Sequence, residues 1–353
     1  MSHTPAAPLS DALRQSRFLR ACRGEANDRP PLWLLRQAGR YMHEYRAVKA
    51  QATDFLSFCK RPELCSQVTL DAQRIWGLDA AILFADLPPL LECLGFEVSY
   101  PTGGPKIANP LRDPQTVAAM RLDDPAETMN FVPDTVRLVR AGLPADIPLI
   151  GFSGAPFTLA AYAIEGGGSK RFMLAKQFML ENEAAWHRFQ EHLVTAVTSY
   201  AKQQVFAGCQ AYQLFDSWVG QLSRGDFDRF VLPHLKQLTH ALHELDVPVI
   251  YFGLHTEHLL PSLRGLPIQV VGCDWTMSLD AVWQAGFPGA QGNLDPLVLT
   301  TNETVVRREV TRLLTEHGGK PGWICNVGHG LVPETKRDLV QLMVELVQGW
   351  PGQ

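Results

Sequence analysis

Short apolar segments recur along this chain, several of them continuously apolar, and helical stretches separate most of them. The segments are Pro31–Leu35, Ala80–Phe84, Pro148–Phe152, Val205–Phe215, Pro248–Phe252, Ile268–Cys273, Gly289–Asn293 and Trp323–Val327. A strand covered on both faces has no polar side, so it reads as an unbroken apolar run. Helical stretches are predicted over Ala161–Ser199, Phe227–Leu245, Val305–His317 and Asp338–Leu346. Alternating strands and helices predict a parallel sheet. Eight such units in 353 residues predict one (β/α)8 TIM barrel covering 1–353, with 1–29 a partly flexible N-terminal extension. A doubly wound sheet is the alternative, but no GxGxxG follows the first segment, so a dinucleotide site lacks its usual support. The gap between the second and third segments carries Pro101–Pro114, predicted as an irregular excursion or small hairpin followed by a helix.

Charge narrows the function classes. Lys and Arg total 32 against 36 Asp and Glu, a formal net charge of −4. That argues against a nucleic-acid surface while leaving room for a local basic pocket. The seven cysteines are odd in number, irregularly spaced and without a CxxC, which fits a reducing, cytoplasmic setting. The N-terminal residues lack the apolar core of a secretory signal. The longest uncharged run, Ile147–Ile164, contains Pro148, Gly151, Gly154 and Pro156, so strand, loop and helix are expected rather than a membrane span.

In a barrel of this kind the loops after the strand C-termini carry the chemistry. The first segment runs into RQAGRYMHEYR. If a helix starts there, Arg36 and Arg40 share one face, and two guanidiniums would suit a substrate rich in carboxylates. The plainer reading is a pair of solvated arginines, and Arg46 reads as a surface residue. Asp86 stands between an apolar run and a proline pair, as a ligand-orienting or acid–base carboxylate or as the cap of a turn. Tyr162 follows the third segment and is either a hydrogen-bonding pocket residue or a structural one. Lys170 and Arg171 read as a solvated pair on a lid. Ser217 lacks the GxSxG elbow of a nucleophile, so a hydrogen-bonding role suits it better. His255, Glu257 and His258 do not make HExxH, and no cysteine pattern joins them. His329 lies between glycines after the last segment.

These residues carry a resemblance to the uroporphyrinogen decarboxylase family. RQAGRYMHEYR and GFSGAPFTLAAYAIEGGGSK resemble its two signatures, and FADLPP, QLFDSW, GLHT, GCDW, GNLDP and NVGHG follow in family order. The resemblance runs from about Pro30 to the C-terminus. It implies one (β/α)8 barrel, a homodimer, a cleft at the strand C-termini, and no metal or prosthetic group. It implies decarboxylation of the four acetate side chains of uroporphyrinogen III to give coproporphyrinogen III. Carried over, the substrate pocket holds Arg36, Arg40, Asp86, Tyr162, Ser217 and His329. Asp86, Arg36, Tyr162 and His329 are its catalytic candidates. One departure is local: many relatives have Ser before the aspartate, where this chain has Ala85. Two rivals stand beside this reading. A corrinoid- or thiol-linked methyltransferase of a related barrel would use a Cys/His zinc site. A non-catalytic porphyrin-binding protein would bind without releasing CO2.

Overall fold

The computed structural model describes residues 9–101 and 104–351. Seven of the eight apolar segments supply strands to one parallel sheet. In chain order the strands are β1 (Ala81–Ile82), β2 (Val98–Ser99), β3 (Lys106–Ile107), β4 (Leu149–Gly154), β5 (Ala211–Asp216), β6 (Val249–Gly253), β7 (Val270–Gly272), β8 (Gly289–Leu294) and β9 (Trp323–Val327). The large sheet runs β1-β4-β5-β6-β7-β8-β9, each strand parallel to the next. No strand is inserted out of sequence, so the doubly wound alternative is excluded. β2 and β3 form a separate antiparallel hairpin, as the excursion predicted, and the helix Gln115–Ala119 follows.

The eighth expected strand is a correction. Pro31–Leu35 makes only a single parallel bridge, Leu32 to Cys325. The cause is a shortage of free amides. Pro30 and Pro31 have no N–H, Leu32 gives its N–H to the Asp79 carboxylate (2.9 Å), and Leu35 gives its N–H to Asn326 Oδ1 (2.9 Å). Backbone contacts nonetheless reach both sides. Cys325 N–H donates to Pro31 O (2.9 Å), and Asp79 N–H donates to Leu32 O (2.9 Å). The observed architecture is therefore a curled seven-stranded parallel α/β sheet rather than eight regular strands.

The curl has a direct signature. β5 and β8 are three places apart, about 14 Å in a flat sheet. Yet Gln291 Nε2 on β8 donates to Gln213 Oε1 on β5 at 3.1 Å, and Trp33 Nε1 donates to Gln291 Oε1 at 2.9 Å. All three side chains are buried. They close a polar chain across the hollow of the sheet. Outside it, Gln204 mends an edge. β1 ends opposite Ile150, leaving Phe152 without a strand on that side. Gln204 Oε1 accepts the Phe152 N–H (2.9 Å) and its Nε2 donates to Phe152 O (3.0 Å). Gly151 makes room, since a Cβ there would lie 2.7 Å from Gln204 Oε1.

The helices depart from the expected spans where backbone geometry forces a break. Ala161–Ser199 is not continuous but falls across Pro156–Glu165, Met173–Glu181 and Glu183–Ala207. Gly166 (φ 84°) ends the first of these in the left-handed conformation. Phe227–Leu245 divides at Val231 into Arg224–Phe230 and Leu232–His243, with Pro233 at the start of the second. Val205–Ala207 belongs to a helix, so only the last part of Val205–Phe215 is strand. The last two helices, Glu303–His317 and Arg337–Gln348, match expectation closely. Within 1–29, helix Arg17–Cys22 buries Phe18, Leu19, Ala21 and Cys22; residues 1–8 lie outside the described residues. All seven cysteines are unpaired and buried. Among the described residues no helix is long and apolar enough to cross a membrane.

The buried polar chain yields a stability prediction. Gln291→Leu strands the Trp33 N–H and one Gln213 acceptor away from water. We expect a loss of about 2 kcal/mol, read as a lower urea midpoint with an unchanged slope.

Candidate active site

Arg36 sits where the first apolar segment turns out of the sheet. Leu35 is fixed on both sides: its N–H donates to Asn326 Oδ1, and its carbonyl accepts Leu331 N–H at 3.0 Å. The next residue, Arg36, has φ 61°, a left-handed conformation that costs a non-glycine residue about 1 kcal/mol. The stem of Arg36 then lies on Gly330, where a Cβ would come within 2.4 Å of Arg36 Cδ. RQAGR and NVGHG thus lock together through a side chain and a missing side chain. The predicted helical face is corrected here: residues 36–41 are turns, and helix His43–Lys49 begins only later. Arg40 is exposed, its carbonyl accepts Arg46 Nη1 (2.7 Å), and its charge acts on Tyr45.

Asp86 follows β1 and is half-buried. Its Oδ1 accepts the Leu87 N–H (2.8 Å) and its Oδ2 accepts the Tyr100 hydroxyl (2.7 Å). Burial pushes its pKa up, while Tyr100, Leu87 and the charge of Arg36 pull it back. One oxygen therefore caps a turn and the other serves a neighbour. Tyr100 was not legible as a site residue; it lies just beyond β2, in the excursion. An aromatic wall flanks it, with Tyr100 edge-on to Phe55 (4.9 Å) and Phe84 against Phe58 (5.1 Å) and Tyr45 (5.5 Å). Beside Ala85, the Phe84 N–H is taken by Thr69 Oγ1 at 3.2 Å.

Tyr162 projects from helix Pro156–Glu165 and meets Trp218 edge-on at 6.1 Å. Burial, with the nearby Asp86 charge, pushes its hydroxyl pKa up to about 12, so it stays a donor at neutral pH. Ser217 is half-buried at the end of β5. Its neighbour Asp216 is fully buried and accepts Thr158 Oγ1 (2.9 Å) and the Tyr251 hydroxyl (2.8 Å). Burial raises the Asp216 pKa to about 6 against those two donors. His329 follows β9, half-buried and edge-on to Trp275 at 6.5 Å. Burial and then Arg36 push its pKa down, favouring a neutral imidazole.

Arg36 is exposed, and its charge acts on Asp86, Tyr162 and His329 alike. Ser217 precedes Trp218, whose ring meets that of Tyr162, and the charge of Arg40 acts on Tyr45. His255, Glu257 and His258 are taken up separately. His255 Nδ1 lies 3.3 Å from buried Asp274, Glu257 Oε2 accepts Ser278 N–H (2.9 Å), and His258 Nε2 meets Leu222 O (2.9 Å). Among the described residues no group of three or more His, Cys, Asp or Glu is placed to hold a metal ion.

Polar side chains in the loops and helix that follow the C-terminal ends of parallel strands, with a partly desolvated carboxylate among them, are the arrangement of an α/β enzyme. A profile described as uroporphyrinogen decarboxylase (URO-D) matches residues 13–350. Curated uroporphyrinogen decarboxylases agree over nearly the whole length. That of Chloroflexus aurantiacus is 46% identical over 344 residues, covering 96% of each chain. That of Thermus thermophilus is 46% identical over 335 residues, covering 94% of this chain and 97% of its own. The chain belongs to the uroporphyrinogen decarboxylase family. Among solved structures, a methyltransferase from Methanosarcina mazei shares the fold, with a TM-score of 0.76 at 17% identity over 94% of this chain and 97% of its own.

The Arg36–Gly330 contact is testable. Gly330→Ala must displace the Arg36 stem. We expect kcat/KM to fall about 10-fold or more with the unfolding midpoint nearly unchanged, because the guanidinium loses its seat while the fold keeps its backbone.

Proposed function

We propose that this protein decarboxylates the four acetate side chains of uroporphyrinogen III to methyl groups, releasing four CO2 and coproporphyrinogen III in tetrapyrrole biosynthesis. The observation that carries the reading is the match to the family along the chain's length, in a chain whose Asp86 carboxylate after β1 is partly desolvated and feels the charge of Arg36. Loss of CO2 from an acetate leaves an electron pair on a methylene, which needs a sink. The substrate supplies one. A proton added to the pyrrole carbon beside the acetate-bearing carbon makes a cationic, iminium-like ring. The C–CO2 bond then breaks, its electrons neutralise the ring, and an exocyclic methylene forms. A second proton converts the methylene to methyl, and the first leaves to restore the aromatic pyrrole. Each cycle consumes one proton overall.

Asp86 suits the centre of that sequence. An ionised carboxylate accepts pyrrole N–H bonds and stabilises the ring cation more than the neutral ring, so it lowers the barrier. Arg36 and Arg40 pair with substrate carboxylates, and Arg36 also takes part in proton delivery. Tyr162 and Ser217 orient carboxylates by hydrogen bonds. His329 binds a carboxylate or relays a proton. Gathering these groups over one cleft is what a single closed (β/α)8 barrel domain would do. The contacts of Leu32 to Cys325 and of Asp79 to Leu32 support a ring in which Pro31–Leu35 fills the eighth place. The family reading further implies a cytoplasmic homodimer, tested by light scattering for twice the chain mass.

Anaerobic turnover of uroporphyrinogen, followed through its partly decarboxylated products, tests the whole reading; no coproporphyrinogen from the intact protein would sink it. Asp86→Asn should lower kcat at least about 100-fold, the scale set by losing one preorganised electrostatic partner. Near-normal turnover would remove Asp86 from the centre of the mechanism.

A further inference from the structure

The β2–β3 hairpin belongs to neither family signature, yet it delivers a hydroxyl to the central carboxylate. Tyr100 follows β2 directly and donates to Asp86 Oδ2 at 2.7 Å. Its ring is held edge-on against Phe55 at 4.9 Å, and Lys49 Nζ stands over the other aromatic at 5.8 Å. The hydroxyl is thus fixed by packing before any ligand arrives. We propose that Tyr100 is a positioning residue for the decarboxylation: its O–H holds Asp86 in one orientation and keeps it ionised, with its free lone pairs turned to the substrate. The inference rests on Asp86 acting as the central carboxylate.

The chemistry follows from counting acceptors. A carboxylate offers about four lone-pair sites. Leu87 N–H and Tyr100 O–H occupy one on each oxygen, so both oxygens keep capacity for pyrrole N–H donors. Burial favours the protonated acid, which would lack the negative charge the cationic ring needs. The charged and titratable groups coupled electrostatically to Asp86 are Arg36 from the first turn, Tyr162 from helix Pro156–Glu165, Tyr45, Cys59 and Tyr200 from the helical layer, and Tyr100 itself. Of these, only Tyr100 makes a side-chain hydrogen bond to the carboxylate among the described residues. The Tyr100 pKa is itself pushed up, by burial first and then by Asp86, so the proton stays on the phenol. Hydrogen bonding to the charged form lowers an acid's pKa, so removing the donor must raise that of Asp86.

Tyr100→Phe keeps the ring against Phe55 and deletes the O–H. The pH dependence of kcat/KM reports groups titrating in the free enzyme and free substrate. The substrate's own carboxylates titrate alike in every variant, so the difference between profiles belongs to the protein. We expect the acidic limb to move to higher pH by about one unit, with KM on the plateau within about two-fold of the parent. Superimposable acidic limbs would overturn the inference. Asp86→Asn run in parallel separates the two claims. If it stays active, the central role of Asp86 fails, and that of Tyr100 with it. If it is inactive while Tyr100→Phe keeps the parent profile, the role of Tyr100 alone fails. Should Tyr100→Phe not fold, Tyr100→Gln retains a donor and Tyr100→Met retains bulk without one; identical acidic limbs in that pair overturn the inference equally.

Discussion

The carboxylate of Asp79 holds the molecule's first apolar segment in place. It accepts the Leu32 N–H at 2.9 Å and receives Arg29 through two bonds of 2.7 and 2.9 Å, while its own N–H returns to Leu32 O. A segment that opens on Pro31, with Pro30 just before it, cannot be held by ladder bonds along its whole length. The paired charge supplies the missing anchor, with Arg29 and Asp79 both largely shielded from water. From there the order of events is geometric. Leu32 and Trp33 are set beside Cys325, Leu35 is clamped by Asn326 and Leu331, and the chain turns at Arg36 in a left-handed conformation. Arg36 is therefore placed by contacts made along the whole of the same short segment, from Leu32 to Leu35.

The electrostatics of the site run in opposite directions within a small volume. Burial works against charge on Asp86 and His329 alike, raising the first pKa and lowering the second. Arg36 then separates them: it draws Asp86 back towards ionisation and drives His329 further towards neutrality. One fixed cation thus favours an anion on one side and an uncharged imidazole on the other. The two side chains, both half-buried, are thereby biased towards different charge states.

Much of the fold was legible because a strand buried on both faces is mostly apolar, and seven of the eight such runs supplied strands. The eighth failed for a reason the same sequence contains, the absent N–H groups of Pro30 and Pro31 together with side-chain competitors at Asp79 and Asn326. The long helix over Ala161–Ser199 was misjudged because apolar periodicity continues across Gly166 and Asn182, where the backbone does not. In the site, Asp86, Tyr162, Ser217 and His329 stand out in the sequence by their position after apolar runs; the structure sets Asp86, Ser217 and His329 in the loops that follow β1, β5 and β9, and Tyr162 on the helix that follows β4. Arg36 and Arg40 were read as helical neighbours because a spacing of four fits that geometry, but a turn separates them. Tyr100 left no local signal. Its meaning depends on a hairpin folding back over a carboxylate fourteen positions earlier, and periodicity carries no such information.

The bridge of Trp33, Gln213 and Gln291 across the hollow of the sheet also bears on how such a sequence changes over generations. Each of the three makes sense only in the company of another, because an amide that loses its partner is left in a place water does not reach. An apolar filling of the same space is physically reasonable, yet no single substitution leads to it without passing through a less stable protein. The three positions, 33, 213 and 291, lie far apart in the chain but should drift as one character, retained together or exchanged together.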